Sequence, residues 1–310
     1  MSLSKAKYIL VGILFYFTAV FYLHFSFNES FRDFFIPLSV LGMGFSLISW
    51  LFTNQFIDPV HKPKIKNELL FIIPLIIWIA FYITYGGSLI NKLLPASWIE
   101  NPAIYSIIIF LRKLLFFVFV PFLIYKAYGF SVKDFGLKDF PVKLFSGQSL
   151  LLLILSILVL LFQYYAGRGG KDIQNGSFSI TQFVIGIPLC LIYLVFDAGL
   201  IEEFFFRGFL QSRLATLFNS NSGGIVISAI IFGLVHAPGL YLRGAASEGI
   251  GEQMPFLYFA TYTIAYMSVA GVFLGIIYSK TKNLWLVMIL HAVVDIIPNF
   301  SDFIATWHIK

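Results

Sequence analysis

The sequence predicts an all-α fold, a polytopic bundle of about eight or nine transmembrane helices with a polar cavity in its C-terminal half. Three observations predict it. The 310 residues are 59% hydrophobic and only 12% charged, against roughly 25% charged in an ordinary globular domain. With a mean hydropathy of +0.88, that much apolar surface cannot be hidden from water in a fold of this length, so the solvent is lipid. The apolar residues also fall in runs of the about 20 residues that a helix needs to cross a bilayer. Finally, almost all ionisable residues inside those runs lie after residue 196.

Taken in chain order, spans are predicted at about 8–27, 34–56, 68–90, 103–125, 146–166, 179–200, 223–240, 256–279 and 283–306. The first follows a short basic head with no small-residue cleavage site behind it, and reads as a retained helix rather than a signal peptide. Polar or glycine-rich separators punctuate the rest: "DPVHKPKIKN" (58–67), "YGFSVKDFGLKDFPVK" (128–143), "GRGGKDIQNGS" (167–177), "NSNSGG" (219–224) and "YSKTKN" (278–283). Residues 201–219 are helical in pattern but too charged to span lipid alone. They either continue the helix that starts near Ile180 or lie along the membrane face. The single cysteine, Cys190, permits no internal disulfide and reads as a small buried hydrophobe.

The net charge of +6 points to membrane topology rather than nucleic acid, because the cations cluster between spans. With the N-terminus inside, 13 Lys and Arg fall on inside segments and 6 on outside ones. The positive-inside rule then gives a cytoplasmic N-terminus and an outside C-terminus. The chain divides into 1–145, a set of N-terminal accessory helices, and 146–310, a core that carries the polar residues.

Ionisable groups within a span cost about 2.5 to 3.5 kcal/mol each at mid-helix and usually mark a protein-facing site. Three groups occur here. In "EEFFFR", Glu203 and Arg207 are spaced i, i+4 and share a helix face, whereas Glu202 is turned about 100° away. One carboxylate is thus clamped and the other is free for chemistry. In "FGLVH", Phe232 and His236 are spaced i, i+4, as are His291 and Asp295 in "HAVVD". Each motif alone also fits a solvated charge or a structural hydrogen bond. Together they are two carboxylates, an arginine, two histidines and an aspartate on three apolar segments. The "NSNSGG" turn makes the first two segments antiparallel, so Glu203 and His236 fall at similar depth. Gly271 and Gly275 in "GVFLG" are four apart and read as a close helix contact.

A glutamate and a histidine around one water form a hydrolytic pair, and a further polar group opposite can stabilise an oxyanion. No GxSxG elbow is present. His236, His291 and a glutamate are competent zinc ligands, but HExxH is absent. On the residues alone zinc stays possible.

The ordered motifs EExxxR, FxxxH and HxxxD on apolar helices resemble the CPBP family, the CAAX-protease and bacteriocin-processing group also called the abortive-infection family. The resemblance covers about 180–300. It implies an intramembrane glutamate-type endopeptidase acting on a peptide or membrane-anchored protein, with no metal and no cofactor. Glu202 and His236 would activate water, Glu203 and Arg207 would form a supporting pair, and His291 and residue 295 would line the oxyanion site. CAAX endopeptidases carry asparagine where this chain has Asp295. An ionised aspartate cannot donate to an oxyanion, so Asp295 is either protonated or orients His291. A prenylated substrate does not follow. The resemblance further implies an integral protein of a bacterial-type plasma membrane. Two other readings compete: a non-catalytic immunity or scaffold protein of the same fold, and a transporter. A transporter would show broken helices in paired halves, whereas the polar residues cluster in the last third with no matching set in the first.

Overall fold

The computed structural model describes residues 3–52, 66–137, 147–176, 178–243 and 254–310. Most of the loop predicted at 58–67, the later part of 128–143 and the division at 145/146 lie outside the described residues, as do Lys62, Lys64, Lys138 and Lys143. The described residues form an all-helical bundle without strands. Among the described residues nine helices are long and apolar enough to cross a membrane: α1 (Ala6–Phe27), α2 (Phe31–Leu51), α3 (Glu68–Asn91), α4 (Pro102–Ala127), α5 (Gly147–Ala166), α6 (Ile180–Leu217), α7 (Asn221–Leu242), α8 (Phe256–Thr281) and α9 (Leu284–Thr306).

Small polar residues start several of them. Asn67, Asn101, Ser179, Ser220 and Asn283 each accept a hydrogen bond from a backbone N–H of the first turn, which satisfies a donor that the helix itself leaves open. At the other end of α8, Lys282 adopts a left-handed conformation with φ 48° and stops the helix before Asn283 restarts the chain as α9.

The main departure from the predicted spans is α6. Residues 201–217 continue the helix from Ile180, giving 38 residues in one element. The charges that bar this stretch from lipid are enclosed by protein: Glu203, Arg207 and Arg213 are all 1% exposed or less. Arg207 and Arg213 are therefore not the loop cations that the sequence reading took them for. Two π-helical stretches, Val195–Leu200 and Phe204–Gln211, flank the glutamates. Such widened turns recur at functional sites because they re-aim side chains.

From this helix, side chains reach five others. Asp197 meets Lys113 of α4, Arg213 meets Glu68 of α3, and Glu203 meets His291 of α9. Glu202 faces His236 of α7, while Arg207 and Gln211 reach backbone carbonyls of α8. The outer faces of the bundle carry exposed leucines, isoleucines and phenylalanines such as Leu10, Leu70, Leu153 and Ile180, as lipid contact requires.

Successive helices alternate in direction. Tyr8 near the start of α1 lies against Phe218, with ring centroids 5.0 Å apart, so the start of α1 and the α6–α7 turn share one face. The segment 132–137 belongs to the same face, because Leu284 N–H donates to Gly136 O at 3.1 Å and the Tyr278 hydroxyl donates to Phe135 O at 3.2 Å. α4 and α6 begin, and α9 ends, on the opposite face.

Candidate active site

The sequence-predicted residues meet where α6, α7 and α9 cross. Glu203 is fully buried and has two partners on one oxygen: Oε1 forms an ion pair with Arg207 Nη1 at 3.0 Å and accepts a hydrogen bond from His291 Nδ1 at 2.6 Å. The i, i+4 pair read from the sequence is present, and the histidine is a partner that sequence spacing did not supply. Arg207 is further fixed by donating Nη2 to Gly271 O at 3.2 Å and by lying 4.6 Å from the centroid of the Phe232 ring, a favourable cation–π geometry. Phe232 thus positions Arg207 as well as preceding His236 on its helix.

Glu202 is turned away from this pair. Its Oε2 lies 3.7 Å from His236 Nε2 and 3.8 Å from His291 Nε2. Both distances exceed a direct hydrogen bond and match a separation that one water bridges. This oxygen is buried and has no hydrogen-bond partner among the described residues. The ring of His236 is oriented by its own helix: Nδ1 lies 2.7 Å from Phe232 O. A carbonyl only accepts, so Nδ1 carries a proton and Nε2 is the atom presented to Glu202. His291 is set in the same way by Glu203, since Nδ1 donates to the carboxylate and Nε2 faces Asp295 Oδ2 at 3.4 Å and Glu202. Asp295 sits one turn beyond His291 and touches the ring edge rather than the Glu202–His236 gap.

The two Nε2 atoms and the Glu202 carboxylate are the donors that a metal could use, but among the described residues no three His, Cys, Asp or Glu side chains are arranged as a ligand set. Cys190 is buried and unpaired, as a small hydrophobe.

Sequence reasoning missed two features of the site. The first is an ion pair, Lys113 Nζ to Asp197 Oδ2 at 2.8 Å, which ties α4 to the helix turn preceding Glu202. The signal was a lysine inside an apolar span with no partner on its own helix. The second is Gly199. A Cβ there would lie 2.5 Å from Met288 O, so only glycine lets α6 approach the backbone of α9 three residues before His291. The "GVFLG" pair has a related role. A Cβ at Gly271 would lie 3.1 Å from Ala229 Cα, and the carbonyls of Gly271 and Gly275 accept from Arg207 Nη2 at 3.2 Å and Gln211 Nε2 at 2.9 Å.

These features define a multi-span membrane protein with a buried carboxylate–imidazole cluster. Residues 183–297 match the family model described as Rce1-like, Type II CAAX prenyl endopeptidase Rce1-like. The matched segment contains all three motifs and covers 115 of the 310 residues. The match supports a CAAX-protease-type membrane endopeptidase, a peptide hydrolase whose substrate is a peptide or protein. No curated protein and no solved structure is a significant match to the chain.

Proposed function

We propose that the protein is a glutamate-type intramembrane endopeptidase in which Glu202 and His236 activate a water molecule. The observation that carries this reading is the division of labour between adjacent glutamates. Glu203 is held by Arg207 and His291, whereas Glu202 Oε2 faces two imidazole Nε2 atoms at 3.7 and 3.8 Å with no direct hydrogen bond. Water held between Glu202 and His236 attacks the scissile carbonyl carbon and gives its proton to the carboxylate. His291 acts as an imidazolium, with Nδ1–H held by Glu203 and Nε2–H beside Asp295 at 3.4 Å, and offers Nε2–H to the developing oxyanion. Asp295 is then an orienting residue for His291, which accounts for an aspartate where CAAX endopeptidases have asparagine. The tetrahedral intermediate collapses with cleavage of the C–N bond, and the leaving amine takes the proton from Glu202. In this scheme α1–α4 are accessory helices, and the N-terminus faces the cytoplasm of a bacterial-type plasma membrane. The substrate is a peptide or a membrane-anchored protein.

Comparing the peptides of wild-type cells with those of cells expressing Glu202→Ala at equal membrane abundance tests the reading. The expected result is at least one cleaved product present only with the wild type and missing again with His236→Ala. Identical peptide sets in all three strains would leave the immunity or scaffold reading in its place.

A further inference from the structure

A second polar space lies beside the cluster. A cavity of about 180 Å³ occupies the junction of α4, α6 and α9, and its lining includes Ser106, Asp197, Asn299, Asp302, Thr306 and Trp307. It is on the side of the cluster toward the face where α4 and α6 begin and α9 ends. Its inner end adjoins the cluster on two helices. Asp197 stands five residues before Glu202 in a π-helical stretch, where residues five apart lie on one face. Asn299 stands one turn after Asp295 and donates Nδ2–H to its backbone carbonyl at 2.9 Å.

The lining has one sign. It contains two carboxylates, and no lysine, arginine or histidine among the described residues. Asp197, 8% exposed, gives Oδ2 to Lys113 Nζ at 2.8 Å, while Oδ1 is buried without a hydrogen-bond partner. A buried carboxylate oxygen with no donor is costly until a donor arrives. Asp302 is exposed and has no ion-pair partner among the described residues. The rings of Tyr193 and Trp307, with centroids 6.1 Å apart, form part of the same wall, and aromatic faces attract cations. The ligand that answers all of these is a positively charged N–H donor on an extended side chain. A whole peptide does not fit the volume.

We propose that this cavity is a substrate subsite that receives a lysine or arginine side chain located a few residues from the bond presented to Glu202. The proposal rests on the peptidase reading above. Ser106 of α4 and Asp302 of α9 both lie outside the matched segment 183–297.

The test uses the full chain in lipid nanodiscs and fluorescent membrane-anchored peptides that differ at one scanned position, carrying Lys, Ala or Glu. Binding is measured by anisotropy on the Glu202→Ala background with and without Asp302→Lys, and cleavage is measured with the wild type. At one position the Lys peptide is expected to bind at least about tenfold tighter than the Glu peptide. Asp302→Lys is expected to reverse that order, and Asp302→Asn to reduce the preference. Equal binding of the three peptides at every position, or an order unchanged by Asp302→Lys, overturns the subsite. Charge-selective binding without cleavage beyond that of Glu202→Ala would sink the peptidase reading and leave the subsite standing. Cleavage with no charge preference would do the reverse.

Discussion

In α3 and α4 the buried charges are held at hydrogen-bonding distance: Glu68 by Arg213 at 3.2 Å, and Arg112 by Asn91 Oδ1 at 2.6 Å and Gly87 O at 3.1 Å. In α6, α7 and α9 three carboxylates converge on one arginine and two imidazoles, and Glu202 Oε2 is left without a direct partner. Both arrangements carry the cost of charge in an apolar bundle. The first offsets much of it by pairing and fixes helix register, although Glu68 Oε2, Arg112 Nε and Arg213 Nε have no hydrogen-bond partner among the described residues. The second differs in where its unmet atom points: Glu202 Oε2 faces two imidazole Nε2 atoms at 3.7 and 3.8 Å without a direct hydrogen bond, which is what a site needs in order to hold a reactant. The enclosure of the helices differs at the extremes: in their most apolar windows α3 and α4 are 33% and 11% buried, against 33%, 39% and 61% for α6, α7 and α9. The outer helices face lipid, and the polar cluster sits against the enclosed ones.

Adjacent glutamates give the sharpest version of that contrast. Glu202→Gln should lower turnover by roughly 10²- to 10⁴-fold, the usual contribution of a general base, and leave the thermal unfolding midpoint of the purified protein unchanged. Glu203→Gln should fail in the other way. It strips the carboxylate from a buried Arg207 and from His291, and breaking a buried pair costs about 3–5 kcal/mol. A loss of stability as large in Glu202→Gln would mean that both carboxylates are structural.

Arg213→Met probes the outer kind of pair. It leaves Glu68 without its cation at 7% exposure, so a destabilisation of similar size, about 3–5 kcal/mol, is expected in a denaturant titration. The fraction that remains folded should cleave at the wild-type rate. A specific-activity loss in the folded fraction would connect the outer pairs to the chemistry.

The spans were legible because lipid imposes a length and a composition on every crossing, and the three polar motifs stood out against that background. Glu203–Arg207 was legible because both residues share one helix. What could not be read was the pairing between distant segments. His291 bonds to Glu203 across 88 positions, and Lys113 to Asp197 across 84. No periodicity encodes such a contact. The continuation of α6 through 201–217 was also undecidable from sequence, because a charged helix is excluded from lipid yet acceptable inside a bundle, and only its neighbours settle which applies. Gly199 was invisible for the same reason, since its lack of a Cβ matters only against Met288 of α9.

That glycine permits a finer cut. Gly199→Ala places a Cβ against a backbone carbonyl that cannot rotate away, and overpacking of this kind costs about 1–3 kcal/mol. Moving α9 outward would also lengthen the His291–Glu203 contact, now 2.6 Å, so activity should fall along with stability. Gly275→Ala is the matched control. Its Cβ would meet the side-chain oxygen of Gln211 at 2.8 Å, and a flexible side chain can yield. Its activity should stay near the wild type.

The smallest expected effect is that of metal removal, and it bears on the same unpartnered atom. In both histidines Nδ1 donates to a protein oxygen, which leaves Nε2 directed at Glu202. That orientation suits a bridging water, and it is also how histidines present Nε2 to a metal. The two chemistries part on a chelator. If Glu202 acts on water as a base, prolonged dialysis against a strong zinc chelator should leave cleavage unchanged and the unfolding midpoint in place. Loss of cleavage that returns on adding zinc would reassign Glu202, His236 and His291 as ligands. In that case Glu202→Gln would weaken zinc retention as well as turnover, a result that a purely acid–base role does not produce.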